Sequence, residues 1–159
     1  MKDHVSRKRT IEQARETHWT LRMVRDRILA RHRTIITSLT EGDKWPTLTP
    51  KQVHMLMTIR EEGETSVKNL ASRLFETPPS ASVMVERLHE KKMVMREFDE
   101  DDRRKVVVAL SPKGEQLVAK VEELFVESFA DVLEEIGSED AEKLTDVCVG
   151  IRMFLDRKA

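Results

Sequence analysis

The residues best suited to bind a charged partner lie in one polar segment, where four acids (99–102) precede the basic run 103–105. Strand-forming runs at Met93–Phe98 and Val106–Leu110 flank it, which predicts a β-hairpin (93–110) with this segment at its tip. An arginine at such a tip can enter a narrow A·T-rich minor groove, where a neighbouring carboxylate holds the guanidinium. The alternative is a solvated turn with internal salt bridges.

A second candidate surface lies on the segment 78–91, which has the period of an amphipathic helix. Thr77 is placed to cap it, and two prolines fall in the first turn, where no helical hydrogen bond is lost. Its apolar side consists of Ala81, Met84, Val85 and Leu88. The opposite side carries Pro79, Ser82, Val83 and Glu86, with Ser80 and Arg87 flanking them. Serine hydroxyls at such a position can bond base edges in a major groove, and valine can contact a thymine methyl. An ordinary core helix is the alternative.

The other residues that could bind a metal or act in catalysis are scattered along the sequence. None of the five histidines has the i,i+4 spacing to His, Glu or Cys that builds a metal site on one helix. We find no nucleophile–base set, so we expect no enzyme activity, no resident metal and no cofactor. His18 and His32 lie near the apolar stripe of the first helix and are expected at an interface. Cys148 lies among apolar residues, which favours a buried, inert thiol over a redox sensor.

Six helices must position these residues, four before the hairpin and two after it, giving a mainly α fold with a small β wing. The first, over residues 10–39, would extend ~45 Å, which is long for a lone helix in 159 residues and favours a partner chain. Side chains are predicted to cap the other five helices, at Thr49, Ser66, Thr77, Ser111 and Ser138. The third helix is predicted to run through Phe75, and the last to bury a stripe from Leu144 to Leu155.

Composition narrows the class of protein further. Aromatic residues make up only 4% of the chain, which argues against an aromatic-lined groove for single-stranded nucleic acid. The net charge of −1 hides a polarity, with ten basic and four acidic residues in 1–33 but five and twelve in 115–159. These ends either attract each other or are simply solvated. With no secretory signal, no bilayer-length apolar run and one cysteine, we expect a cytoplasmic protein with no membrane partner.

The motifs together resemble the MarR (multiple-antibiotic-resistance regulator) family. They are the run Leu70–Leu74, the segment Thr77–Arg96 and the segment Asp99–Gly114, which has the family's D-x-x-DRR wing and an L-[TS]-x-x-G start of a long helix. The match is close over 49–120. It implies a winged helix-turn-helix lobe at 46–112, between a dimerisation helix at 1–45 and two dimerisation helices at 113–159.

The resemblance also implies roles for single residues. Arg104 matches the position placed in the minor groove, while Asp102 and Arg103 match those that brace the wing. The DNA-contacting positions of the recognition helix fall on Ser80, Ser82, Val83 and Arg87. We expect Lys68 and Lys105 to contact phosphates.

Three positions depart from the family pattern. Val83 stands where a polar or basic residue is common, Ala81 where a larger aliphatic residue is usual, and Lys92 where glycine often leads into the wing. Fewer base-directed hydrogen bonds remain, which bears on sequence preference more than on DNA binding.

The function implied is that of a homodimeric repressor of transcription. Two recognition helices would read a pseudo-palindrome in double-stranded DNA at a separation of about 34–36 Å. The resemblance further implies a small anionic or aromatic effector that releases the DNA. The alternative is a winged-helix module for protein–protein assembly without specific DNA binding, and a metal sensor would need clustered ligands that the sequence lacks.

Overall fold

The computed structural model describes residues 2–40, 44–98 and 106–157 of the chain. The mainly α class with a small β wing is confirmed, and the helices and the hairpin follow the predicted order. The elements are α1 (Lys2–Thr40), α2 (Pro50–Glu62), β1 (Thr65–Ser66), α3 (Val67–Arg73), α4 (Pro78–Glu90), β2 (Val94–Phe98), β3 (Val106–Leu110), α5 (Pro112–Ile136) and α6 (Ser138–Asp156). The first helix therefore starts earlier than predicted and has 39 residues.

Side-chain caps fix the starts of α2 to α5, as predicted. Thr49 and Gln52 form a reciprocal capping box, in which each side-chain oxygen accepts from the other residue's backbone N–H at 3.3 and 2.9 Å. Ser66 accepts from the N–H of Asn69 at 3.1 Å. The Thr77 and Ser111 hydroxyls cap α4 and α5 in the same way. These contacts satisfy N–H groups that have no partner within the helix.

Two predicted helix boundaries are wrong, one at a C-terminus and one at an N-terminus. In each case a residue with positive φ lies next to the boundary. The third helix ends at Arg73 rather than at Phe75, whose φ of 53° leaves the helical region. Ser138 is the first residue of α6 and not its cap. Gly137 holds the cap position with a φ of 83°, and no side chain caps this helix.

A three-stranded antiparallel sheet packs beside α2, α3 and α4 in the order β1-β3-β2. Strand β1, which the sequence did not predict, pairs Thr65 with Val108, while β2 pairs Val94 with Leu110. The core of this lobe consists of fully buried residues from every layer, among them Leu56, Ile59, Leu70, Val85, Leu88, Val108 and Leu117. Met84, which belongs to the predicted apolar side of 78–91, is only half-buried.

The chain forms two compact units, Met1–Val118 and Ala119–Ala159. In the second unit α6 buries none of its residues, so the expected burial of the stripe from Leu144 to Leu155 is wrong for the single chain. Cys148, expected to be buried, is exposed for the same reason. In the described residues, no helix combines the length and apolar character that a membrane crossing requires.

Candidate nucleic-acid interface

Helix α4 buries one face and leaves the other open. Ala81, Val85 and Leu88 have almost no exposed surface, which fixes the rotation of the helix against the core. Because residues three to four apart share a face, the opposite side is set by the same contacts. It presents Ser82 and Arg87, and between them Val83 with 53% of its surface exposed. The residues predicted to read bases from this face are therefore displayed together.

The first turn of α4 is tied to α2 by a polar chain through three side chains. The Ser80 hydroxyl lies 3.0 Å from Oε2 of Glu76, and Nζ of Lys51 lies 2.7 Å from Oε1 of the same carboxylate. The hydrogen bond from Lys51, with a second from Ser80, lowers the pKa of Glu76 below its ordinary value. Glu76 is thus an anion at neutral pH, and Lys51 balances its charge.

The second half of α4 is joined to the wing. Arg96 on β2 forms an ion pair with Glu86, which places a cation beside an acid on the face of α4 that would otherwise repel phosphates. At the end of the helix, Nζ of Lys91 donates to the backbone oxygen of Thr47 at 2.8 Å. The next residue, Lys92, has a φ of 59°, which redirects the chain into β2. Recognition helix and wing strand are therefore held by a side-chain pair as well as by the backbone.

The base of the wing is locked to the start of α5 by Ser111 and Gly114. The Ser111 hydroxyl donates to the backbone oxygen of Lys92 at 2.7 Å and accepts from the N–H of Gly114 at 3.0 Å. The N–H of Ser111 donates to the backbone oxygen of Met93 at 3.0 Å. A Cβ on Gly114 would lie 2.1 Å from that same oxygen, so no side chain fits there. This contact explains the glycine of the L-[TS]-x-x-G motif.

Helix α3 carries two basic residues with different surroundings. Arg73 is engaged by acids, with Nε 2.8 Å from Oε1 of Glu62. Lys68, predicted to contact phosphate, is exposed and forms no salt bridge with any residue in the ranges 7–40, 44–98 and 106–157. Lys68 is therefore the basic side chain of α3 that is available to an anionic partner.

The predicted site divides into a described and an undescribed part. Ser80, Ser82, Val83 and Arg87 share α4, whereas Asp102, Arg103, Arg104 and Lys105 lie outside the described residues. Sequence reasoning missed Glu76, Lys51 and Arg96. These residues lie outside the exposed face of α4 and hold its side chains in place. The Glu76–Ser80 spacing of four residues is a weak local signal for the first contact. Nothing local indicates Lys51, which is 25 residues away.

The helix pair α3–α4 with a two-stranded wing packed beside it defines the chain as a winged helix-turn-helix protein. Residues 48–106 match the model of the MarR family, so the resemblance carried by the motifs is confirmed over this segment. The chain is also similar to the HTH-type transcriptional repressor MdtR of Bacillus subtilis, with 28% identity over 68 residues. That match covers 43% of this chain and 44% of MdtR, so the comparison spans less than half of the relative.

Solved structures extend the likeness to nearly the whole fold. A MarR family protein from Bacillus stearothermophilus superposes with a TM-score of 0.78 and 24% identity, covering 91% of this chain and 96% of its own. FabT of Streptococcus pneumoniae, solved in complex with DNA, gives a TM-score of 0.71 and 15% identity, covering 89% and 99%. At these identities the superpositions show a shared fold.

Proposed function

We propose that the protein is a dimeric repressor of transcription that binds a pseudo-palindromic site in double-stranded DNA. The observation that carries this proposal is the outer face of α4, which presents Ser82, Val83 and Arg87 beside the wing strands while the opposite face is locked into the core. Such a helix fits the major groove, and its neighbouring hairpin reaches the adjacent groove. The similarity to MdtR, a named repressor, and to FabT, solved with DNA, supports the same function.

The terminal helices supply the dimer in this proposal. Within residues 7–40 of α1, six large apolar side chains are exposed: Ile11, Trp19, Leu21, Met23, Val24 and Leu29. Helix α6 exposes a comparable set, including Val147, Ile151, Phe154 and Leu155. Exposed apolar surface of this extent on two helices is typical of an interface. Covering it with a second copy of the chain accounts for the length of α1 and gives the two-fold symmetry that a palindrome requires.

Affinity in this proposal comes mainly from phosphates and specificity from α4 and the wing. Lys68, Lys105 and the N-terminal N–H groups of the capped helices contact the backbone. Arg104 enters the minor groove, held by Asp102 and Arg103 as the family motif implies. Glu86 does not oppose binding, because Arg96 pairs with it. We further propose that a small anionic or aromatic effector releases the DNA. The protein would act in the cytoplasm.

Fluorescence anisotropy with labelled DNA from the region flanking the gene tests this function. We expect sequence-selective binding that weakens by about three orders of magnitude or more between 50 and 200 mM salt. Arg104→Ala should weaken selective binding about tenfold or more without changing the oligomeric state or Tm. Arg7→Ala, at an exposed arginine of α1, is the matched control and should bind like wild type. Absence of any selective binding at low salt would favour the protein–protein assembly module instead.

A further inference from the structure

The contact between Ser80 and Glu76 fixes which way the serine hydroxyl points its proton. A serine hydroxyl has one proton and two lone pairs, whereas an ionised carboxylate can only accept. In the 3.0 Å contact the proton of Ser80 is therefore directed at Oε2 of Glu76. The Ser80 oxygen keeps lone pairs for other partners but has no proton left to donate.

Lys51 keeps this arrangement in place. Its ammonium lies 2.7 Å from Oε1 of Glu76, on the oxygen that Ser80 does not use. The hydrogen bond from Lys51 is the largest cause of the lowered pKa of Glu76, so the carboxylate stays ionised well below neutral pH. Lys51 also offsets a negative charge that would otherwise lie close to the phosphates of a bound duplex.

The backbone of the same turn also has few free N–H donors. The N–H of Ser80 lies 3.4 Å from the Thr77 hydroxyl that caps α4. Pro78 and Pro79 have no N–H at all. The first turn of α4 thus offers a DNA base few donors of its own, and its half-buried Ser80 side chain offers an acceptor.

We propose that Ser80 is a specificity-determining residue that accepts a hydrogen bond from the exocyclic amine of a base in the major groove, with Glu76 and Lys51 as its positioning residues. This inference rests on the proposed function, since it requires α4 to lie in the groove. The two amines presented there are N6 of adenine and N4 of cytosine, whereas guanine and thymine present oxygen acceptors at the corresponding positions. A serine without a free proton can therefore bind the amine donors but not the oxygen acceptors. A freely rotating serine could bind either.

The test is a selection of binding sites from a randomised duplex library, followed by binding to amine-deleted duplexes. Wild type should select adenine or cytosine at one position of each half-site. Replacing that base by purine (for adenine) or pyrimidin-2-one (for cytosine) removes only the amine and should weaken wild-type binding about fivefold or more. The replacement that weakens binding identifies which base is read.

Variants separate this role from a structural one. Ser80→Ala should bind both duplexes equally, and Ser80→Thr should restore the preference. Glu76→Gln should reduce it, because an amide can donate to the serine and free its proton. Ser138→Ala, at an exposed serine of α6 outside the proposed DNA-binding face, is the matched control and should keep the preference at this position. Circular dichroism establishes that each variant is folded.

The outcomes distinguish the inference from the function on which it rests. If no variant, wild type included, selects a sequence, the proposed function fails. If wild type selects a sequence and Ser80→Ala shows the same base preference and the same sensitivity to amine deletion, the role of Ser80 is overturned while the DNA-binding function stands. A preference for guanine or thymine at the Ser80-dependent position would also overturn it.

Discussion

At the scale of single residues, the lobe depends on side chains that satisfy two neighbours at once. Ser111 joins the end of α4 to the start of α5 through one hydroxyl, which donates to Lys92 and accepts from Gly114. Glu76 joins α2 to the first turn of α4 through its two oxygens. Neither residue is on the exposed face of α4, but each fixes where that face lies. Substitutions at such residues should therefore change stability or specificity beyond the loss of one contact.

Gly114→Ala should destabilise the lobe by about 1–3 kcal/mol, the usual cost of forcing extra volume into a filled site. Its Cβ would lie 2.1 Å from the backbone oxygen of Met93, an atom that cannot rotate away. The measurement is Tm, which we expect to fall by several degrees. Gly150→Ala is the matched control, because its Cβ meets nothing within 4 Å and alanine favours a helix. An unchanged Tm for Gly114→Ala would contradict the close contact.

Glu76→Gln should lower stability at neutral pH but not in acid. The pKa of Glu76 in the folded protein is lowered below 4.5, chiefly by the hydrogen bond from Lys51. A lowered carboxyl pKa contributes stability above the unfolded pKa, and this contribution is lost as pH falls through the folded pKa. The difference in Tm between wild type and variant should therefore be present at pH 6 and shrink below pH 4. A difference that is independent of pH would show that charge plays no part.

At the scale of elements, prediction from sequence succeeded where the determining contacts are local. The caps Thr49, Ser66, Thr77 and Ser111 each bond an N–H three residues away, so spacing alone identifies them. The wing strands were predicted from their composition, and the sequence between them carries the family motif. Strand β1 was missed because its two residues exist as a strand only by pairing with β3, more than forty positions further along.

The residues that hold the candidate site in place were the least predictable part, because their contacts also join positions far apart in the sequence. The residues on the outer face of α4 follow from helical periodicity, but Lys51 and Arg96 reach α4 from other elements. Cys148 was expected to be buried because its neighbours are apolar. Periodicity shows that a helix has an apolar face, and it does not show whether the same chain covers that face.

Lys92→Gly should stabilise the junction between α4 and β2. A non-glycine residue in the left-handed region costs roughly 1–2 kcal/mol, and glycine's greater freedom when unfolded returns part of that. With Lys92 at a φ of 59°, we expect a net gain of about 0.5–1 kcal/mol. A thermal melt should show a Tm rise of about 2 °C.

Lys91→Gly serves as the control for this substitution. Lys91 has an ordinary φ of −79°, and its side chain donates to Thr47. The same change one position earlier should therefore lower Tm. A fall in Tm for both variants would indicate that the left-handed backbone at Lys92 carries no cost that glycine relieves.

At the scale of the whole molecule, each compact unit exposes apolar surface that a stable protein in water would cover. Helix α1 belongs to the first unit and α6 to the second. The charges of the two ends are opposite, with an excess of basic residues over 1–33 and of acidic residues over 115–159. Opposite charges on apolar helices favour association and set which surfaces meet. Both features are consistent with the proposed dimer.

Disrupting the apolar stripe of α6 should separate assembly from folding. Leu155 has 58% of its surface exposed in the single chain, so Leu155→Asp costs the isolated protomer little but places a charge in the proposed interface. We expect light scattering after gel filtration to show a shift from dimer to monomer, with loss of selective binding to a palindromic duplex. Thr145→Asp, the same charge at an exposed polar position of α6, should leave both properties unchanged.

Cys148 provides an independent measure of the same assembly. Its thiol is exposed in the single chain and lies on the helical face shared by Leu144, Val147, Ile151 and Leu155. In a dimer closed through that face, a thiol reagent should label native wild type slowly and native Leu155→Asp at the rate of the denatured chain. Because dilution also separates protomers, the wild-type rate should rise as the protein concentration falls. Equal labelling rates for the two proteins, or a wild type that is monomeric at every concentration, would mean that α6 does not form the interface and that a palindrome is read by some other arrangement.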